Sequence, residues 1–154
     1  IASYTDRANE LLDAIAKQGT TAAGPVYRGS LLIQAGKLDD AIAELTRAKS
    51  EGGIDGVLAR EGLGVALQEK ALDPKTSADD RQKGLEDALA EFTAMQPDPN
   101  GPRRAYALYH QGLVLLHLHK LADANAALDK AKEAAKDSPE IAALVDEARQ
   151  AFGS

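Results

Sequence analysis

Apolar residues recur along the chain at three- and four-residue spacing, as in Leu38, Ala41, Ile42, Leu45 and Ala48 and again in Leu121, Ala124, Leu128 and Ala131. That period lines one face of an α-helix. Pro25, Pro74, Pro97, Pro99, Pro102 and Pro139 fall between the apolar stretches or at their starts, because a proline ring inside a helix removes an N–H and clashes with the preceding turn. Periodicity and breaks together predict eight helices, over 3–17, 22–35, 38–50, 55–72, 78–95, 102–118, 121–135 and 138–152. Start and stop signals agree with the division. Ser77 with Asp80 reads as a capping box, Ser138 and Pro139 as a cap and a first-turn proline, and Asn100 and Gly101 precede Pro102. Gly19, Gly36, Gly52 and Gly53 stand where helices should end. Short connections make successive helices antiparallel neighbours.

The helices repeat in pairs. Gly29, Leu32, Gly36, Leu38, Ala41, Leu45 and Ala48 return as Leu108, Gly112, Leu115, Leu121, Ala124, Leu128 and Ala131, and Gly lies 12 residues before the central Ala in both pairs. A middle pair carries Leu63, Gly64 and Leu67, then Leu85, Ala88, Phe92 and Met95, with Gly64 and Ala88 separated by 24 residues. About 12 residues are thus inserted around Leu72 to Lys83, which predicts an extended helical hairpin with a turn at 73–77. Gly and Ala at fixed positions let two helices approach closely while larger residues fill the space beside them.

This pattern resembles the tetratricopeptide repeat, whose 34-residue unit carries Leu-Gly and Tyr in one helix and Ala, Phe and Pro around the next. Gly29 to Gly64 spans 35 residues. The chain departs from that pattern where Pro25, Arg60 and Leu108 replace the large aromatic of the first helix. The resemblance implies an all-α fold of antiparallel pairs stacked into a short right-handed solenoid. On it, residues 1–21 form a half-repeat helix, 22–53 the first repeat, 54–101 the second with its insertion, 102–137 the third and 138–154 a C-terminal capping helix. Ala8 lies 33 residues before Ala41, so the first helix matches the second half of a repeat.

Composition points the same way: the 154 residues include 30 Ala and 20 Leu but only 11 Val plus Ile, with neither Trp nor Cys. Net charge −6 argues against nucleic acid as a partner, since phosphate binding needs clustered Lys and Arg. The longest apolar run, Leu113 to Leu118, includes His117 and falls far short of the ~20 residues of a membrane span, so no direct membrane insertion is expected. Beginning at Ile1 instead of Met, the chain reads as a processed or truncated product. Bacterial periplasm, anchored upstream, and cytoplasm both stay open. Size and arrangement are similar to the membrane-anchored repeat proteins of bacterial envelope assembly and the secretion translocon.

Candidate chemistry is sparse. His110 and His117 are seven residues apart, but no acid lies between Ala105 and His119 to complete a metal site, and Gly62-Leu63-Gly64 lacks the strand and third Gly of a phosphate cradle. No catalytic residue, metal or cofactor is expected, and the chain reads as a non-enzymatic interaction scaffold. Carried over from the resemblance, the first helices line a concave groove at Val26, Tyr27, Ser30, Ile33, Gln34, Glu61, Val65, Gln68, Tyr106, Tyr109, His110, Leu113, Leu116 and His117. Chaperone-binding members of that family clamp a terminal carboxylate there with Lys, Arg and Asn. None of these positions is Lys, Arg or Asn, so a partner protein's apolar peptide or amphipathic helix is the expected occupant. Two competing readings are a structural domain whose groove is filled by its own chain or by a second copy in a homo-oligomer, and an RNA-binding helical repeat, which the negative charge disfavours.

Overall fold

The computed structural model of the chain describes residues 3–18, 24–136 and 138–152. Eight helices form among them: α1 (Tyr4–Gln18), α2 (Pro25–Gln34), α3 (Leu38–Ala48), α4 (Gly53–Leu72), α5 (Ala78–Met95), α6 (Arg104–His117), α7 (Leu121–Ala134) and α8 (Pro139–Ala151). Each lies within three residues of its expected position. The α2 start predicted at 22, the Gly19 stop and the divisions at 21 and 137 fall outside the described residues. Helix α5 is capped as its sequence indicates, the Ser77 hydroxyl accepting the Asp80 N–H at 3.2 Å. Ser138 holds the N-cap position of α8 without a side-chain cap bond.

Antiparallel pairing follows a common rule. A Cβ placed on Gly29 would meet the Leu45 side chain at 2.5 Å, one on Gly112 the Leu128 side chain at 2.5 Å, and one on Gly64 the Phe92 ring at 2.5 Å. Leu45 and Leu128 lie 16 residues beyond their glycines and Phe92 lies 28 beyond, the same interval plus the 12-residue insertion. The Ala positions Ala41, Ala88 and Ala124 are fully buried. The three glycines are therefore helix-crossing positions where a larger residue would overpack.

The inserted residues lengthen α4 to 20 residues and α5 to 18, against 10 to 14 in the helices of the flanking pairs. At the base of the inserted turn, buried Ala71 of α4 packs against Gly84 of α5, and Lys70 of α4 pairs with Asp39 of α3 at 2.6 Å.

Buried residues form three clusters in a row instead of one central core: Leu45, Ala48, Ala59 and Leu63; then Leu85, Ala88, Phe92 and Val114 with their neighbours; then Leu108, Leu116, Leu128, Ile141 and Val145 with theirs. The fold is thus an all-α helical repeat whose units pack chiefly on their neighbours. Helix α8 extends the series. Tyr106 lies beside Glu140 and His117 meets Phe152, contacts offset by 34 and 35 residues, so α8 lies parallel to α6 at the repeat distance.

Candidate functional site

The strip of residues expected to line a groove divides into an open half and a closed half. In the open half, Leu45 of α3 wedges beneath both Gly29 of α2 and Gly62 of α4, whose added Cβ would lie 3.1 Å from it. Two parallel helices are thereby drawn onto one leucine, and the residues above it are short. The result is an open apolar cavity of about 390 Å³, lined by Val26, Ser30, Ile33, Gln34, Leu45, Leu58, Glu61, Gly62, Val65 and Arg103. Six of the fourteen expected groove residues line it.

One end of this cavity is polar and fully connected. Arg103 donates from Nε to Glu61 Oε1 at 2.8 Å and pairs through Nη2 with Oε2, while His110 Nε2 lies 3.1 Å from Oε2. The His110 ring stacks on Phe92 at 4.5 Å and 8°, and the Arg103 guanidinium lies 3.8 Å above the Tyr106 ring. Burial pushes the Glu61 carboxyl up, but the hydrogen bonds and charges of His110 and Arg103 outweigh it and hold the group below the usual carboxylate range. An acid so held is a poor proton acceptor near neutrality. It ties α4 to the start of α6 through Arg103 and to α6 itself through His110.

Arg103 corrects the expectation of a groove wall without a cation. It precedes α6 as its N-cap residue, so no helical register projects it inward. The available signal was Glu61: an acid in an apolar wall needs a donor.

In the closed half the expected residues do not share an open surface. Leu116 is 1% exposed and belongs to the core cluster with Ile141 and Val145, whereas Leu115, expected in the core, is half-buried. Leu116, which the resemblance placed in the groove, is core because α8 covers this strip of α6, and Leu115 packs against the same cluster from its edge. Tyr106, Tyr109 and Leu113 pack against the same cluster, and the His117 ring meets Phe152 edge-on at 4.7 Å. Burial, with the Glu147 charge adding to it, pushes the Tyr109 hydroxyl up; burial, with Arg81 and His119 adding to it, pushes the His117 imidazole down. Tyr27 is half-exposed and, like Gln68, lies outside the cavity lining.

Among the described residues no three His, Asp or Glu side chains group as a metal would need, and no helix is long and apolar enough to cross a membrane. No family model matches the chain, and no curated protein or solved structure matches it.

Proposed function

We propose that the chain is a tetratricopeptide-like, non-catalytic scaffold that binds a peptide or helix of a partner protein in the open half of its inner face. The cavity between α2 and α4 carries this reading: it is concave, apolar on its floor and walls, and ringed by a few fixed polar groups, as binding clefts are. The 16-residue interval from Gly to a large residue in two pairs, lengthened by the 12-residue insertion in the third, supports the family resemblance. The Glu61–Arg103–His110 network holds the groove's wall in place, so that little ordering cost is left for binding. A photo-crosslinking residue at Ser30, inside the groove, should capture a partner in cells, and the same residue at Leu121, exposed on α7, should not. Val65→Asp should abolish the Ser30 product. Equal yields at Ser30 and Leu121 would refute the reading.

A further inference from the structure

Three acids without a basic partner among the described residues border the open groove. Within it, Glu61 is neutralised by Arg103, so the lining carries no unanswered charge. Helices α2 and α4 run parallel, which brings their N-terminal turns to the same end. There a second cavity of about 310 Å³ shares Val26 with the groove and is lined by Glu51 and Asp55. Neither acid makes an ion pair among the described residues, and two large apolar side chains stand exposed in the same turns, Tyr27 at 50% and Ile54 at 48%. At the opposite end Glu69 follows Val65 by one turn on the same face of α4, again with no ion pair among the described residues. Partial burial pushes its carboxyl up. These three acids lack a salt-bridge partner among the described residues, exposed Lys37 stands in the turn after α2, and the lining between the two ends is mostly apolar.

We propose that the groove takes an apolar polypeptide segment flanked at both ends by lysine or arginine. The apolar stretch covers Val26, Ile33 and Val65, while one basic end meets Glu51 and Asp55 and the other meets Glu69. The proposal rests on the groove reading above. It adds the charge of the partner, which apolar burial alone does not dictate. Cations placed at the ends also fix register and direction, since complementary charge contributes specificity and association rate more than affinity.

The test is a selection of random displayed peptides on the intact chain, with counter-selection on Val65→Asp and on Ser30→Trp, the second a plug at an exposed position that leaves the core untouched. The recovered peptides should be apolar in the middle and basic at both ends. Their affinity should fall about tenfold between low salt and ~0.5 M salt, and by a similar factor in the Glu51→Gln, Asp55→Asn, Glu69→Gln triple variant. Recovery of neutral or acidic peptides, or unchanged binding by the triple variant, overturns the charge assignment and leaves the groove standing. Recovery of no peptide that distinguishes the chain from both blocked variants overturns the groove reading itself.

Discussion

Helices α2 and α4 and helices α6 and α8 are stacked in the same parallel way, yet one pair encloses a cavity of about 390 Å³ and the other is packed shut. Side-chain size separates them: the first pair presents Val26, Ser30, Gly62 and Val65, while the second presents Tyr106, Tyr109, Leu116 and Phe152. At each step of the repeat the residues on this strip decide whether it stays open or joins the core, so an open cavity is a local property of one step in the stack.

Truncating one side chain in each half should produce the largest difference between them. Leu116→Ala removes a side chain that is 1% exposed and should destabilise by about 3 kcal/mol, seen as a large drop in thermal midpoint. Val65→Ala, in the half-buried groove wall, should cost less than about 1 kcal/mol while weakening peptide binding. Comparable losses of stability would mean that the two halves are packed alike.

Enlarging glycines tests the same contrast from the other direction. Gly112→Leu forces a side chain into Leu128 and should cost roughly 1–3 kcal/mol. Gly62→Leu gains helix propensity and needs only a small shift of Leu45, so its stability should stay within about 1 kcal/mol of the parent's. It fills the groove, however, and binding measured by anisotropy should disappear. A Gly62→Leu variant that still binds would remove the groove from the function.

A smaller effect is expected at the turns joining each helix pair. Gly36 and His119 both follow their crossing glycine by seven residues and both adopt positive φ, 75° and 60°. Glycine tolerates that conformation and histidine is strained by it. His119→Gly should therefore stabilise the closed half by up to about 1 kcal/mol, measurable by denaturant titration. A loss of stability would show that the imidazole makes a contact worth more than the strain.

The slightest effects concern pH, and the two halves should respond in different windows. His117 is held below 6.5 in the folded chain, so the unfolded chain takes up the proton first, and stability falls as pH drops from 6.5 toward the lowered value. Glu61 is held below 4.5, so its contribution is complete above 4.5 and lost as pH falls through the lowered value. Replacing His117 by Gln should flatten the upper limb, and Glu61→Gln the lower one, in urea midpoints measured against pH. A single transition unaffected by either substitution would separate both groups from the acid response.

Helices, pairing and repeat register were legible in the sequence because each depends on neighbours close in the chain. Periodicity marks a helix face, proline and glycine end it, and an interval from Gly29 to Ala41 repeated at Gly112 to Ala124 sets the pairing. Even the insertion was visible as a doubled interval between Gly64 and Ala88. The site was legible only in part, since Val26, Ile33, Glu61 and Val65 follow from register whereas Arg103 reaches the groove from the turn before α6. Whether Leu115 or Leu116 is buried, and whether Tyr109 faces a partner or α8, depends on how a helix more than twenty residues away is laid down. Local spacing fixes which side chains share a face. Only packing between units determines what covers that face, because burial depends on the tertiary neighbours that remove it from water.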